Sequence, residues 1–156
     1  MGTEDAPLRL FFYGTLGEGM DNPVIRSIRP KLTAARPATT RGTLHALPDR
    51  DGWYPGLLPD PAGRPVEGML YDAGPAFTAH DLATLDAYEA FDPADLAACE
   101  YVRREIEVTV GGSETLTAQA YVYHRPLPPG ARRIAEASFA AFLAAHGLRA
   151  LAPRDP

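Results

Sequence analysis

The chain has 156 residues, of which 46% are hydrophobic, and its formal net charge is -5. This length suits one domain with one core, and the composition is ordinary for a soluble globular fold. The acids and bases are spread along the chain, so there is no basic stripe to hold nucleic acid or an anionic membrane surface. A neutral, cationic or zwitterionic small molecule is therefore the easier partner.

The basic residues and the single cysteine bear on origin and compartment. Arginine supplies every basic residue except Lys31, and alanine and proline are frequent, which favours a GC-rich, bacterial coding sequence. Cys99 is the only cysteine, so no internal disulfide is possible, and its neighbours Ala98 and Glu100 offer nothing to stabilise a thiolate. The apolar run after the acidic residues 1–5 is too short for a signal peptide or a membrane span. A cytoplasmic protein is expected.

The first half of the chain predicts a strand, a glycine-rich loop, a short helix and several short strands. Leu8–Phe12 is apolar enough for a central strand, and it runs into the loop Tyr13–Gly19. Residues 23–28 begin with proline and predict a short helix. Tight turns at Asp51-Gly52 and Ala62-Gly63 are typical of antiparallel pairing. The strand-like segments, broken by proline and glycine, are 32–38, 41–47, 54–58 and 66–71.

The second half predicts two helices around an antiparallel hairpin. A capping-box signal at Thr78 and Asp81 begins a helix that ends at Asp92-Pro93. Residues 101–110 alternate as a strand, Gly111-Gly112 turns the chain, and a partner strand follows near 116–124. One face of the first strand carries Val102, Ile106, Val108 and Val110, and the other carries Tyr101 and Arg103. A last helix is predicted over 131–146, with Gly147 as its stop. Together the elements predict an α+β fold with a curled or barrel-like antiparallel sheet.

Glu89 is the most informative single residue. In a helical segment it lies within roughly 20° of Leu82 and about 40° of Leu85 around the axis, on the face that should be buried. A carboxylate facing an apolar interior loses solvation and becomes a better proton acceptor near neutral pH, unless a cation holds it ionised. This is the profile of a general base. The alternative is that Glu89 ends the helix and reaches water or an arginine.

Several other kinds of site find no support in the sequence. None of the serines Ser27, Ser113 and Ser138 lies in a nucleophile elbow. The four histidines lack the spacing of zinc ligands and there is no cysteine pair, so no metal site is predicted. The glycines of the Tyr13–Gly19 loop fit neither a phosphate-binding loop nor a dinucleotide fingerprint. That loop can present backbone N–H groups to a carboxylate or an oxyanion, or simply connect a strand tightly to a helix.

Short motifs along residues 8–125 occur in an order that resembles one family. They are Tyr13-Gly14-Thr15-Leu16, Arg41-Gly42-Thr43-Leu44, Tyr54-Pro55-Gly56-Leu57, Val66-Glu67-Gly68-Met69-Leu70-Tyr71, Leu85-Asp86-Ala87-Tyr88-Glu89, Tyr101-Val102-Arg103 and Ala120-Tyr121-Val122-Tyr123. Their order and spacing resemble the gamma-glutamylcyclotransferase-like superfamily, particularly its gamma-glutamylamine cyclotransferase branch. One departure is Ala90, where the family often has glycine.

The resemblance implies a domain, a reaction and a set of site residues. It implies a small mixed or antiparallel β-barrel with flanking helices and no cofactor. We expect one domain over residues 8–147, with flexible termini at 1–7 and 148–156. In the implied reaction the α-amine of a γ-glutamyl group attacks its own side-chain carbonyl, releasing an amine and 5-oxoproline. Glu89 would be the catalytic acid and base. The substrate-binding residues that the resemblance implies are Tyr13, Gly14, Thr15, Leu16, Tyr101 and Tyr121.

The sequence alone leaves open two alternative functions and the role of Arg103. The protein can remove a γ-glutamyl protecting group from a biosynthetic intermediate, or it can be a non-catalytic ligand-binding or regulatory module of the same fold. Arg103 can meet a substrate carboxylate, although strand alternation favours a surface pair with Glu105 or Glu107. The sequence specifies neither the leaving amine nor the oligomeric state.

Overall fold

The computed structural model describes residues 8–14 and 23–151. These residues form a strand-rich sheet with three helices, which confirms the predicted α+β class. The strands are β1 (Arg9–Phe12), β2 (Leu32–Asp49), β3 (Gly52–Pro59), β4 (Arg64–Ala73), β5 (Tyr101–Val110), β6 (Glu114–Tyr123) and β7 (Arg132–Arg133). The helices are α1 (Pro23–Ile28), α2 (Ala79–Tyr88) and α3 (Phe139–His146), with short 3-10 turns at Arg29–Lys31 and Leu96–Ala98.

The strands form one mixed sheet that curls back on itself. Their order is β3-β2-β4-β1-β6-β5, and β7 adds to β2. The pairing of β1 with β6 is parallel and the other pairings are antiparallel. Strand β5 returns to β2 at Thr39 and Thr109, where the hydroxyl of Thr40 donates to the Glu107 carbonyl at 2.8 Å. The curl therefore closes through a single pairing, and not through a continuous ladder.

Strand β2 is longer than the sequence predicts. The segments 32–38 and 41–47 were expected as separate strands, but they are one strand because β4 pairs along its first part and β3 along its second. The predicted turn at Ala62-Gly63 joins β3 to β4, which both pair with β2 and not with each other. The connection passes over β2 at Gly42, where a Cβ on Gly63 would lie 2.7 Å from the Gly42 backbone.

The last helix is shorter than predicted. It begins only at Phe139, where the Ser138 hydroxyl accepts the Ala141 N–H, so the prediction of a helix over 131–146 is wrong in its first half. Residues 132–133 instead pair with β2 as β7, and the Ile134 N–H donates to the Leu44 carbonyl at 2.8 Å. Tertiary strand pairing has overridden local helix propensity here.

Residues 148–151, after α3, lie alongside β3. Gly147 ends α3 in the left-handed conformation, as predicted. Beyond it, Trp53 donates its N–H to Arg149 and accepts at its carbonyl from the N–H of Leu151, so the chain runs alongside β3. Residues 1–7 and 152–156 lie outside the described part of the chain.

Two clusters of buried side chains hold the elements together. The larger lies between the inner face of the sheet and α3, and it includes Phe11, Leu57 and Phe142. The smaller lies between the other face of the sheet and helices α1 and α2, and it includes Ile28 and Leu85. Within the described ranges no helix has the length and apolar character needed to cross a membrane. The site described next lies where the two clusters meet, at the carboxyl end of α2.

Candidate active site

Local sequence signals fix the helix that carries Glu89. The Thr78 hydroxyl accepts the N–H of Asp81, and the Asp81 carboxylate accepts the N–H of Thr78, so the predicted capping box is present. Leu85 is fully buried and Leu82 is half-buried, which confirms the predicted inner face. The helix ends at Tyr88 and Glu89 is its C-cap residue.

The turn after α2 is a Schellman motif that sets the direction of Glu89. Ala90 has φ of 57° and donates its N–H to the Ala87 carbonyl at 3.0 Å. The N–H of Phe91 reaches the Asp86 carbonyl at 2.8 Å, which is the second bond of the motif. Phe91 then packs against both buried clusters. The chain is therefore held on each side of Glu89 by hydrogen bonds and by packing.

Asp86, one turn before the end of α2, ties this helix to the sheet. Its carboxylate meets Arg103 of β5 at two points, Nε to Oδ1 at 2.8 Å and Nη2 to Oδ2 at 3.2 Å. The Tyr121 hydroxyl of β6 donates to the same carboxylate at 2.7 Å. The remaining Nη1 of Arg103 donates to Gln119 at 2.8 Å. Three elements thus converge one helical turn from Glu89.

The predicted surface pair of Arg103 with Glu105 or Glu107 is wrong. Helix α2 covers the strand face that carries Tyr101 and Arg103, and it brings Asp86 within reach of the guanidinium. A two-point contact between a guanidinium and a half-buried carboxylate is favoured over a flexible pair at the surface. Three of the five N–H donors of the Arg103 guanidinium are thus directed at Asp86 and Gln119.

Tyr13 lies in the loop after β1 and joins two other strands. Its hydroxyl donates to the Tyr121 carbonyl of β6 at 2.6 Å and accepts the Leu57 N–H of β3 at 3.3 Å. Gly14 lies so close to the ring of Pro55 that a Cβ would overlap it. Thr15 and Leu16, the other predicted loop residues, lie outside the described residues.

Strand β3 also forms hydrogen bonds with side chains at the start of β5. The Tyr101 hydroxyl donates to the Pro55 carbonyl at 2.6 Å, and the neighbouring Tyr54 hydroxyl donates to Glu100 Oε2 at 2.7 Å. Tyr101 also makes an edge contact with Tyr123, with ring centroids 5.6 Å apart. Sequence reasoning missed Tyr54, Pro55 and Glu100 as parts of this region. The Tyr54-Pro55-Gly56-Leu57 motif was the signal that pointed there.

Burial makes Glu89 basic for a carboxylate. Desolvation raises the pKa of Glu89 to about 7, and the negative charge of Glu100 adds to the rise. Burial also raises the pKa of the phenols of Tyr13, Tyr101 and Tyr121, and for each of them the charge of Glu89 contributes further. The structure thus brings the predicted residues Tyr13, Tyr101 and Tyr121 into the electrostatic surroundings of Glu89.

No cation meets the Glu89 carboxylate within the part of the chain that the structure describes. Glu89 ends the helix and is half-buried, as in the alternative in which it reaches water, whereas Arg103 pairs with Asp86 and no arginine among the described residues contributes to the pKa of Glu89. The described residues also contain no group of three or more His, Cys, Asp or Glu side chains that could hold a metal ion. What the arrangement offers is a carboxyl group that can gain and lose a proton near neutral pH.

The fold and this site define a small α+β protein in which a half-buried carboxyl group with a raised pKa lies within electrostatic reach of three phenols. The chain belongs to the gamma-glutamyl cyclotransferase family of the AIG2-like type, whose model matches residues 10–141. No match was found among curated protein sequences.

Solved structures share the fold. An AIG2-like protein from Mus musculus is 22% identical, with a TM-score of 0.64 over 96% of this chain and 98% of that chain. A protein from Arabidopsis thaliana is also 22% identical, with a TM-score of 0.58 over 94% and 88% of the two chains. A yeast gamma-glutamyl cyclotransferase specific to glutathione is 14% identical, with a TM-score of 0.54 over 76% and 69%. At these identities the likeness extends to the fold alone.

Proposed function

We propose that this protein is a cyclotransferase that releases 5-oxoproline from a γ-glutamyl amine or a γ-glutamyl peptide, with Glu89 as the general acid and base. Membership of the family supports the reaction class. The observation that carries the proposal is Glu89 itself, a half-buried carboxyl whose pKa is raised to about 7. A group that titrates near the working pH is suited to both halves of a proton transfer.

The first step is deprotonation of the substrate. The α-ammonium of the γ-glutamyl group cannot attack a carbonyl until it loses a proton, and Glu89 would accept that proton. The raised pKa of Glu89 makes this proton transfer less unfavourable, because it brings the pKa of the carboxyl group closer to that of the ammonium. The substrate supplies its own nucleophile, so no serine or cysteine of the protein is required.

The second step closes the ring and expels the amine. The free α-amine attacks the γ-carbonyl carbon, which forms the new C–N bond and a tetrahedral oxyanion. Backbone N–H groups of the loop from Tyr13 to Leu16 would hold the substrate and this oxyanion. Protonated Glu89 then returns its proton to the leaving nitrogen as the original C–N bond breaks. The products are 5-oxoproline and a free amine, and no water is consumed.

The tyrosines would shape the pocket and not carry protons. The hydroxyls of Tyr13 and Tyr101 donate to backbone carbonyls, and that of Tyr121 donates to Asp86. Burial raises the pKa of each phenol well above its ordinary value, so each stays protonated at neutral pH. In this proposal Tyr101 and Tyr121 form walls that fold the extended glutamyl chain back on itself.

The test uses the substrate's own nucleophile. Purified protein is incubated with γ-glutamyl amines, γ-glutamyl amino acids and ε-linked γ-glutamyl-lysine, and mass spectrometry follows the glutamyl product. We expect 5-oxoproline from at least one compound, and none from its α-N-acetyl analogue, because the attacking nitrogen is then an amide. Cleavage of the acetylated compound, or accumulation of free glutamate, would identify a hydrolase that uses water and would overturn the proposal.

A further inference from the structure

The guanidinium of Arg103 contacts the chain on both sides of Glu89. Before Glu89, the Asp86 carboxylate accepts two hydrogen bonds from it, from Nε at 2.8 Å and from Nη2 at 3.2 Å. After Glu89, the ring of Phe91 faces the guanidinium, with its centroid 5.7 Å from Cζ. This distance is within the range of a cation–π contact. A single side chain of β5 therefore binds residues that precede and follow the proposed base.

The same two residues are joined to each other through the backbone. The Phe91 N–H donates to the Asp86 carbonyl at 2.8 Å, which closes the turn that contains Glu89. Inside this turn the N–H of Glu89 donates to the Leu85 carbonyl at 3.0 Å. Arg103 thus holds the side chains at both ends of the turn whose backbone sets the direction of Glu89.

Arg103 is itself fixed by the sheet. Its Nη1 donates to the side chain of Gln119 on β6 at 2.8 Å. Across the β5–β6 pairing it lies opposite Tyr121, whose hydroxyl donates to Asp86 at 2.7 Å. A planar guanidinium that is bound at several points has one orientation, which the flexible ammonium of lysine would not keep. The sheet therefore supplies a rigid support for the end of α2.

The Glu89 carboxyl depends on this support. No hydrogen bond within the described residues affects the pKa of Glu89, which burial and the charge of Glu100 alone raise. The direction of the carboxyl is consequently set by the turn and its packing. A base must lie within about 3 Å of the proton that it accepts, so even a small displacement of the turn matters for its rate.

We propose that Arg103 is a positioning residue, which directs the Glu89 carboxyl at the substrate by holding Asp86 and Phe91 together. The inference rests on the proposed cyclotransferase function and adds to it a residue that acts without contacting substrate. Arg103 serves through its shape: the fork binds the carboxylate of Asp86 while the planar face lies on the ring of Phe91. Its charge makes no contribution to the pKa of Glu89, so an effect on Glu89 must pass through the geometry of the turn.

The variant Arg103→Lys keeps the positive charge beside Asp86 and removes both the fork and the planar face. We expect kcat to fall about tenfold while KM changes less than about threefold, because the base is displaced and the substrate contacts remain. We also expect the pKa of Glu89 to fall toward that of an ordinary glutamate, because a looser turn admits water to the carboxyl. The midpoint of the pH profile of kcat/KM should move to lower pH with it.

Arg36→Lys is the matched control. Arg36 lies on β2, its Nη2 is 3.1 Å from Asp72 Oδ1, and its side chain is 26% exposed against 22% for Arg103. The same substitution there should leave kcat and the pH midpoint unchanged. A second variant, Phe91→Leu, keeps an apolar side chain and removes the ring. It should lower kcat and the pH midpoint as Arg103→Lys does, and the two effects should be less than additive when combined.

Two results would overturn the role of Arg103. One is an Arg103→Lys protein that is less stable in urea but keeps native kcat and a native pH midpoint, which would make the contact merely structural. The other is a raised KM with unaltered kcat, which would indicate that Arg103 binds substrate. If Arg103→Lys does not fold, Phe91→Leu decides by the same readouts.

A measurement without turnover separates this inference from the proposed function. If the native protein releases no 5-oxoproline from any γ-glutamyl compound, the proposed function fails. A carbon NMR titration of the Glu89 carboxyl then decides the role of Arg103. A lower pKa of Glu89 in Arg103→Lys, but not in Arg36→Lys, would support it, and an unchanged pKa in both variants would overturn it.

Discussion

Glu89 is an acid whose charged form the fold disfavours. Burial is the main cause of its raised pKa, the like charge of Glu100 adds to it, and within the described residues no cation compensates. Desolvation of a carboxylate that has no partner normally counts against stability. Arg103 is bound to Asp86, one helical turn away, and makes no contribution to the pKa of Glu89. In the proposed mechanism this leaves Glu89 able to accept a proton near neutral pH.

The rate of the proposed reaction should depend on the ionisation of Glu89. Because its pKa is raised to about 7, the carboxyl is protonated below that pH and cannot accept the proton of the substrate. We expect kcat/KM to fall about tenfold per pH unit below this midpoint, measured from pH 5 to 9 as 5-oxoproline release. Glu100→Gln should move the midpoint to lower pH, because it removes a like charge. A profile that stays flat down to pH 5 would contradict the assignment of Glu89.

The end of α2 is strained at one residue. Ala90 adopts φ of 57°, a left-handed conformation that costs a residue with a Cβ about 1 kcal/mol and costs glycine little. We expect Ala90→Gly to raise the free energy of unfolding by roughly 0.5–1 kcal/mol, after the greater flexibility of glycine in the unfolded chain is allowed for. Urea denaturation of the native protein and the variant measures this difference in the free energy of unfolding.

A glycine substitution at a different position of α2 provides the control. Ala83 is exposed in the middle of α2, and Ala83→Gly should lower stability by about 1 kcal/mol. Both variants should keep their activity, since neither changes a side chain of the site. If Ala90→Gly destabilised the protein as Ala83→Gly does, the Schellman geometry at Ala90 would be wrong.

The contact of α2 with β5 and β6 should position Glu89. The side chains of Asp86 and Arg103 are 17% and 22% exposed, so their pair is partly shielded from water. We expect Asp86→Asn to lower both stability, by about 1–3 kcal/mol, and kcat, because it leaves Arg103 without its partner and loosens the turn that carries Glu89. Thermal denaturation and steady-state kinetics measure the two effects.

Asp72 offers a matched control for this variant. It pairs with Arg9 and Arg36 through a carboxylate that is 37% exposed, and it lies on β4, away from the end of α2. Asp72→Asn makes the same change in charge and should leave kcat unaltered. An equal loss of kcat in both variants would mean that Asp86 has no special relation to Glu89.

The sequence predicted best what local interactions decide. The capping box at Thr78 and the leucine spacing of α2 predicted the helix and its buried leucine face, because both signals act within a few residues of the chain. The continuous β2 and the short α3 were missed because pairing with distant strands decides them. The partner of Arg103 was predicted wrongly for the same reason, because alternation along β5 cannot show that α2 covers this face of the strand.

On the scale of the whole molecule, the site is assembled by the curl of the sheet. The loop after β1, strands β3, β5 and β6 and the end of α2 meet although they are far apart in the chain. The hydroxyl group of Tyr13 bonds to both β6 and β3. No periodicity in the sequence could show that Tyr54 and Glu100 meet, because their contact depends on how the sheet closes.

Turnover by Glu89→Gln protein tests most directly whether Glu89 is the base. Glutamine keeps the size of the side chain but cannot take a proton, so we expect 5-oxoproline release to fall by about 10²-fold or more while Kd stays within a few-fold. The variant should also unfold at a higher temperature at pH 8. A carboxyl whose pKa is raised on folding weakens the fold above that pKa and ceases to do so once pH falls below its ordinary value. Full activity in a well-folded Glu89→Gln protein would contradict the mechanism and assign the proton transfer to another residue.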